Sequence, residues 1–532
     1  MKTIQEFMLR PWIYLIIVLL GIFLKFYQID YRYFWYDEVF TILQTSGVSL
    51  KDYKDKLPLN ELKNISYYHD LLHLNKQGYT IKSQLKGQWN TPNLNPLHYA
   101  VLVFWHRIAG DRDINYRFFN VFIFLLILPL LFSLAKLLFK SNLAGWIAIS
   151  LLSVNGFFQY YTFEARYNTL CLFLMILNQI IFLKAVKGSG YLWWAGYLIS
   201  GILCLYASFI LGLIFIAHFI YILFFERKAF IPYIISSIVI FLGYLPWLIS
   251  IINHHDQIFK SLNWQQTYGV NQNIFTLIFA QFYFVSYSFD VLNNYKEQVS
   301  MFVTHHLAGN YIFFIANFFI IVLLIFSAIY TYKKGEKKLF IFILLFIIPQ
   351  FLYFLITDLV RKTGMSLIPR YNILNILGFI LFLVFLFKEK IFKGSYYFIG
   401  IYILLVTMGI TTDFYMADKY VATNYQSDIR NSALISRSDN SLLISDMKAL
   451  FLGGDAASIL AFTNACKSDK IDILRVNPDV KNIREYFDST AYKQIFVLNA
   501  SQKLINNLKS QLGGKMDSIT MKGFTNEWQI KF

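Results

Sequence analysis

Long apolar runs recur along the first 412 residues of the chain. The first is Pro11 to Tyr27, and ten more lie at 114–135, 143–161, 167–183, 191–207, 208–225, 230–252, 311–330, 339–356, 371–387 and 396–411. A helix needs about 20 mostly apolar residues to cross the hydrocarbon core of a bilayer. Since lipid cannot satisfy backbone polar groups, such runs predict an α-helical polytopic membrane protein with about eleven transmembrane helices.

Composition excludes a soluble globular protein. The 532 residues are 57% hydrophobic, with 54 Phe and 37 Tyr, and the mean hydropathy is +0.49, against about 45–50% apolar residues in soluble domains. The first run follows Lys2 and Arg10 and resembles a signal peptide, but no small-residue cleavage site follows it. We therefore expect a retained first span with the N-terminus in the cytoplasm.

The segment NPLHYAVLVFWHRIAG, Asn95 to Gly110, decides the predicted topology. Its apolar centre is about 10–14 residues long, which is typical of an interfacial helix. If it does not cross, the short loops on the N-terminal side carry fifteen Lys and Arg against four Glu. This asymmetry is the positive-inside pattern. It predicts a multi-pass protein of the bacterial cytoplasmic membrane with interfacial helices on the outer face.

The predicted topology also explains the net charge of +17, so no nucleic-acid partner is needed. We expect a transmembrane catalytic domain over residues 1–412, with outer loops at about 28–113 and 253–310, and an extracytoplasmic α/β domain over 413–532. Within the first loop, residues 61–74 have helical spacing. In the terminal domain, strand patterns alternate with helical segments near 447–466 and 501–512, and the predicted strands are SLLISD (441–446), KIDILRV (470–476), KQIFVLNA (493–500) and a closing EWQIKF.

On this topology, the polar residues at the outer ends of the spans gather on one side of the membrane: Asp37, Glu38, Asn95, His98, Arg117, Glu164, Arg166, Arg361, Lys362 and Arg370. Each also fits a structural role. Asp37 and Glu38 suit the first turn of a short helix, Arg117 suits an arginine whose head reaches the lipid headgroups, and Glu164 with Arg166 suits an interfacial ion pair.

Five segments that contain most of these residues follow one another in an order that resembles that of a known enzyme family. The segments are WYDEVFT (35–41), NPLHYAVLVFWHRIAG (95–110), NYRFFNVF (115–122), SVNGFFQYYTFEARYNTL (153–170) and IPRYNIL (368–374). This ordered set resembles the polyprenyl-phosphate-dependent glycosyltransferases of the GT-C fold, in the branch of the protein O-mannosyltransferases and the ArnT-like lipid A aminoarabinose transferases. The likeness is strongest over about residues 1–190. Glu164 stands where many relatives have aspartate.

The resemblance implies transfer of a sugar from a polyprenyl phosphate to an acceptor hydroxyl on a lipid, glycan or protein, with inversion. A carboxylate can take the acceptor proton, and guanidinium groups suit the leaving phosphate. We expect Asp37 and Glu38 to be catalytic and Arg117, Arg370, Lys362 and Arg166 to bind the donor phosphate. The expected substrate-binding residues are Glu164, His98, Tyr99, Tyr167 and Trp35.

The sequence requires no cofactor. A divalent cation remains an open alternative, because histidines stand near acids in the outer loops, at 69–73 and 254–256, and a further histidine pair occupies 305–306. Cys171, Cys204 and Cys466 have no disulfide or metal-type spacing.

Three other functions stay open: a glycan polymerase or ligase that uses a pyrophosphate-linked donor, a transporter, and a non-catalytic scaffold for the terminal domain.

Overall fold

The structure is a computed structural model of the whole chain. It describes the chain apart from residues 288–310, 419–439, 448–458 and 519–527 and shorter stretches between them, among which are residues 30–33, 35, 49–52, 73–77 and 266–272. Contacts between residues divide the chain into two compact units. The first comprises 1–29, 92–98 and 113–421, and the second comprises 30–91, 99–112 and 422–532.

Helices dominate the described residues. In chain order they are α1 Lys2–Met8, α2 Pro11–Phe26, α3 Tyr36–Ser46, α4 Ile65–Leu72, α5 Ile81–Asn90, α6 Leu97–Ala109, α7 Ile114–Phe139, α8 Asn142–Ser153, α9 Gly156–Phe163, α10 Asn168–Val186, α11 Tyr191–Ala207, α12 Leu213–Phe225, α13 Phe230–Asn253, α14 His255–Ser261, α15 Ile274–Tyr287, α16 Tyr311–Lys334, α17 Lys337–Arg361, α18 Ile373–Phe392, α19 Tyr396–Asp418 and α20 Gln502–Leu512.

Each of the eleven predicted apolar runs is helical. Seven of the described helices are long and apolar enough to cross a membrane: α7, α10, α13, α16, α17, α18 and α19. An eighth run is split into α8 and α9, which meet at a bend of 59°. The remaining three, at α2, α11 and Phe209–Phe225, are apolar helices of 16 or 17 residues. The protein is therefore a multi-pass membrane protein, as the sequence predicts.

The first unit is built around α18. In its most apolar stretch 89% of the residues are buried, against 28% for α13. Large apolar side chains on α13 instead point outward, namely Ile231, Ile235, Ile238, Phe241 and Leu242. An outward apolar face on a long helix suits contact with lipid, whereas α18 forms the centre of the helical packing.

The helix α6 corresponds to the segment that decides the predicted topology. Its 13 residues span about 20 Å at 1.5 Å per residue, which is shorter than the roughly 30 Å hydrocarbon core of a bilayer. The helix begins directly after Asn95-Pro96, where proline suits a first turn because it lacks a backbone N–H. Its length matches the predicted interfacial helix.

The second unit contains a six-stranded sheet with the order β1-β3-β2-β4-β6-β5. Its strands are β1 Leu62–Asn64, β2 Ser441–Asp446, β3 Ile471–Val476, β4 Gln494–Leu498, β5 Lys515–Ser518 and β6 Trp528–Lys531. The central strands β3, β2 and β4 are parallel, and the outer pairs are antiparallel. The predicted small α/β fold of the tail is confirmed.

One strand of this sheet comes from the first loop. Leu62 pairs with Leu474 and Asn64 with Asp472, and the Asn64 side chain donates to the carbonyl of Asp469 at 2.9 Å. The predicted helix over 61–74 is therefore wrong for residues 62–64, and α4 begins at Ile65. Pairing with a distant strand decides the conformation of such a short segment more than local propensity does.

Candidate functional site

The site residues of the first unit are organised around the turn Glu164–Tyr167, which follows α9. Glu164 and Arg166 are both buried, and the backbone N–H of Arg166 donates to the carbonyl of Glu164 at 2.7 Å. The side-chain amide of Asn120, on α7, donates to the carbonyls of Glu164 and Arg166. A single amide from another helix therefore fixes the turn.

Two arginines of this region each lie beside the tyrosine that follows them in the chain. The guanidinium carbon of Arg166 lies 5.6 Å from the ring centroid of Tyr167, and that of Arg370 lies 5.5 Å from the ring centroid of Tyr371. Burial raises the pKa of Tyr167 and Tyr371 adds to the increase, while the charges of Arg166 and Arg370 oppose it. Both arginines are therefore within electrostatic range of one phenol.

His98 belongs to the same cluster. Its side chain is 1% exposed, and its ring centroid lies 5.7 Å from that of Phe119. Burial, together with a smaller contribution from the charge of Arg166, lowers the pKa of His98 to about 3. The imidazole is therefore neutral near pH 7, where it can form hydrogen bonds but cannot supply positive charge.

The side chain of Arg117 is buried, whereas an arginine that reaches toward lipid headgroups would be exposed. It is 2% exposed, and its Nη1 donates to the carbonyl of Ile29 at 2.9 Å, just beyond the end of α2. Nearby, Ile29 packs with Val121 and Phe163. Arg117 thus ties the exit of the first helix to α7.

A loop after α17 carries Lys362 and Arg370, and a carboxylate that the sequence analysis missed holds its start. Asp358 Oδ1 accepts from the hydroxyl of Thr363 at 2.8 Å and from the backbone N–H of Met365 at 2.7 Å. Its Oδ2 accepts from the N–H and the hydroxyl of Ser366 at 2.8 and 2.5 Å. The signal was an acid near the end of an apolar helix, a position where ionisable groups usually have a role.

Lys362 itself is exposed and has a left-handed backbone, with φ of 53°. A non-glycine residue seldom adopts this conformation without local support. Its backbone N–H is placed at the end of α17, where it donates to the carbonyl of Asp358. The lysine therefore stands in a loop whose backbone Asp358 contacts at Lys362 and again at Met365 and Ser366.

Asp37 and Glu38 belong to the second unit, in the first turn of α3. Asp37 is half-buried and Glu38 is 1% exposed, and the hydroxyl of Thr41 donates to the carbonyl of Asp37 at 3.1 Å. Acids at this position favour the helix because they face its positive end. Tyr99, also in the second unit, is fully buried, and Trp35 lies outside the described residues.

The helix α3 is itself held by α5. Gln88 Nε2 donates to Gln44 Oε1 at 3.0 Å, and Gly87 lies so close to the Gly47 backbone that an added Cβ would overlap its carbonyl. Gly47 has a φ of 76°, which favours glycine. These contacts fix the helix that presents Asp37 and Glu38, and sequence reasoning missed them.

The histidine groups considered for a metal are placed as follows. His69 forms a hydrogen bond with the carbonyl of Thr463 at 2.6 Å, and His255 lies 3.1 Å from Asp256. His73, His305 and His306 lie outside the described residues. Within the described part of the chain, no group of three or more His, Cys, Asp or Glu side chains could hold a metal ion.

Comparison with known proteins identifies the fold of the chain. No family model matches the chain, and no curated protein matches it. Crystal structures of ArnT from Cupriavidus metallidurans do match: the apo form with a TM-score of 0.50 and the form bound to undecaprenyl phosphate with 0.52. The chain has the GT-C fold of ArnT. Identity is 10%, and each alignment covers 97% of this chain and at least 97% of the other. The predicted resemblance is confirmed at the level of fold.

Proposed function

We propose that the protein is a membrane glycosyltransferase that moves a sugar from a polyprenyl phosphate to an acceptor hydroxyl. The observation that carries the proposal is a pair of cations, Arg166 and Arg370, whose charges both act on Tyr167 in a chain with the ArnT fold. One of the matching ArnT structures holds undecaprenyl phosphate, which supports a lipid phosphate as the donor class. We place the reaction on the outer side of the bacterial cytoplasmic membrane.

The two guanidinium groups are proposed to bind the donor phosphate. As the bond between the sugar and the phosphate breaks, negative charge grows on the phosphate oxygens, and fixed cations stabilise that charge. Guanidinium groups suit phosphate because they form paired hydrogen bonds to two of its oxygens. We assign Arg166 and Arg370 to this role, with Arg117 and Lys362 as further cations of the same unit.

The acceptor proton goes to a carboxylate in the proposed reaction. Asp37 accepts the proton of the acceptor hydroxyl, the hydroxyl oxygen bonds to the anomeric carbon, and the bond from that carbon to the phosphate oxygen breaks. The products are the glycosylated acceptor and polyprenyl phosphate, with inversion at the anomeric carbon. We assign Glu38 to support of Asp37, and Glu164, His98, Tyr99, Tyr167 and Trp35 to substrate binding.

The proposal is tested with purified protein in nanodiscs and a panel of polyprenyl-phosphate sugars, by following release of polyprenyl phosphate in the presence of candidate acceptors. Asp37→Asn and Arg370→Gln should each reduce turnover by at least about 100-fold, which is the usual cost of removing a catalytic base or a charge-stabilising group. Arg227→Gln, which changes an exposed arginine, is the matched control and should leave turnover unchanged.

Two outcomes would contradict the proposal. Equal turnover in Asp37→Asn, Arg370→Gln and Arg227→Gln would remove both assigned residues from the reaction. Turnover only with pyrophosphate-linked glycans would favour the polymerase or ligase alternative. It would show that the donor is not a polyprenyl monophosphate sugar.

A further inference from the structure

A buried lysine lies in the last turn of the first apolar helix. Lys25 is 0% exposed. Its ammonium donates to the backbone carbonyl of Ser153 at 3.1 Å and to Gln159 Oε1 at 2.6 Å, and lies 4.4 Å from the centroid of the Phe124 ring. An ionisable group is costly inside an apolar helix and is rarely kept there without a role. The proposed reaction does not use it.

The two acceptors of Lys25 flank the bend between α8 and α9. Ser153 ends α8, so its carbonyl has no partner within the helix, and a cation at this end is favoured by the helix dipole. Gln159 lies in α9, on the other side of the bend, and its Nε2 donates to the carbonyl of Leu24 at 2.9 Å. Two consecutive residues of α2 therefore bind both arms of the bend.

Close backbone packing encloses the same bend. An added Cβ at Gly21, on α2, would overlap Ser153, and one at Gly409, on α19, would overlap the carbonyl of Val154. One turn after Gly409 stands Asp413, which is 0% exposed and interacts electrostatically with Lys25. The bend is thus held between the first and last apolar helices, and Asp413 offsets the charge of the lysine.

The direction of α9 determines where the site turn lies. This helix has only eight residues, and it ends at Phe163, directly before Glu164–Tyr167. We propose that Lys25 is a positioning residue for this turn and acts through Gln159. The catalytic consequence rests on the proposed function. Structurally, the lysine fixes the angle at the bend, and α9 carries that angle to Arg166.

The test separates positioning from charge balance. Lys25→Met alone would leave Asp413 buried without its counterion, a change that endangers folding. The paired variant K25M/D413N removes both charges and should unfold at a temperature near that of the wild type. If Lys25 positions the turn, hydrogen exchange over residues 156–169 rises in the paired variant, and turnover falls about 100-fold, the scale expected for a displacement of about 1 Å in a site.

Three further variants sharpen the test. Gln159→Leu should reproduce both effects. Added to K25M/D413N, it should have a smaller effect than in the wild type, because residues that act through one contact are not additive; the remaining effect is the loss of the bond from Gln159 Nε2 to the Leu24 carbonyl. Lys25→Arg keeps the charge and the donors and should retain turnover within about 10-fold of the wild type, since the bend stays fixed.

Wild-type exchange and turnover in K25M/D413N would overturn the proposal and would reduce Lys25 to a counterion of Asp413. A rise in exchange over 156–169 with no turnover of any donor by the wild type would instead contradict the proposed function and leave the positioning intact. Fully additive effects of Gln159→Leu and K25M/D413N would also overturn the proposal, because the lysine would then not act through Gln159.

Discussion

Two turns carry three of the four candidate cations of the first unit, namely Arg166, Lys362 and Arg370, and they are held in opposite ways. The turn Glu164–Tyr167 is fixed through its carbonyls by a neutral amide, Asn120, from another helix. The loop after α17 is fixed through its N–H and hydroxyl groups by a carboxylate, Asp358, at the end of the helix that precedes it. The first turn therefore depends on a distant helix and the second on a local ion.

The difference has energetic consequences. Hydrogen bonds to a charged group contribute about 1.5–3 kcal/mol each, whereas those between neutral groups contribute about 1 kcal/mol. Asp358 forms four bonds of the first kind and Asn120 two of the second. We therefore expect the loop with Arg370 to be the more costly to disturb, and the turn with Arg166 to be the more easily displaced.

The largest effect is expected for Asp358→Ala. The change leaves the donors of Thr363, Met365 and Ser366 buried without their acceptor, so the free energy of unfolding should fall by about 3 kcal/mol or more. Asp358→Asn keeps the shape and one acceptor oxygen and should fall between Asp358→Ala and the wild type. Thermal unfolding in detergent measures both. Equal stability of Asp358→Ala and the wild type would show that the loop does not need the carboxylate.

The next effect is expected at Asn120. Asn120→Leu removes two neutral hydrogen bonds and should cost about 2 kcal/mol. Asn120→Asp should be worse, because an ionised carboxylate donates no hydrogen bond and would face two carbonyl oxygens. The order wild type, Asn120→Leu, Asn120→Asp in unfolding temperature is the expected result. If Asn120→Asp proved the more stable of the two variants, the assignment of Asn120 as a donor to the turn would be wrong.

A smaller, pH-dependent effect is expected from His98. Its folded pKa is about 3, below its usual value of 6.5, so between these values the unfolded chain takes up a proton that the folded chain does not. Stability should therefore fall as the pH is lowered from about 6.5, by at most about 1.4 kcal/mol per pH unit. Unfolding measured from pH 7.5 to 4.5 should show this slope, and His98→Gln should reduce it. An unchanged slope in the variant would exclude His98 as its source.

The smallest effect is expected at Lys362, where backbone and charge can be separated. Lys362→Gly relieves the left-handed conformation but increases the freedom of the unfolded chain, so stability should change by less than about 1 kcal/mol. Lys362→Gln keeps the conformational cost and removes the charge. If the lysine binds the donor phosphate, both variants should weaken binding equally; a loss in Lys362→Gly alone would assign the effect to the backbone.

The two turns also differ in how far sequence reasoning could reach them. Apolar runs and central strands such as Ser441–Asp446 were predicted because their patterns are local, and Asp358 stood visibly as an acid near the end of an apolar run. The contacts of Asn120 join residues more than forty positions apart, and β1 pairs with a strand about 410 residues away. No local pattern encodes such pairings, so the supports of the first turn could not be predicted.

The candidate site was predicted in the same uneven way. Glu164, Arg166 and Arg370 were identified by motif order, and in the structure the charges of Arg166 and Arg370 both act on Tyr167. The sequence shows Lys25 as a lysine within the apolar segment GIFLKF. Its partners could not be predicted, because they are set by the bend between α8 and α9. The assignment of Glu164, Arg166 and Arg370 to the reaction remains a prediction.

The most direct measurement is the affinity of polyprenyl phosphate for the wild type, Arg166→Gln, Arg370→Gln and the control Arg227→Gln, by native mass spectrometry in detergent. We expect each of the first two variants to bind at least about 10-fold more weakly, which corresponds to about 1.4 kcal/mol, and the control to bind as the wild type does. Equal affinity in all four proteins would contradict the claim that these two arginines form the donor-phosphate site.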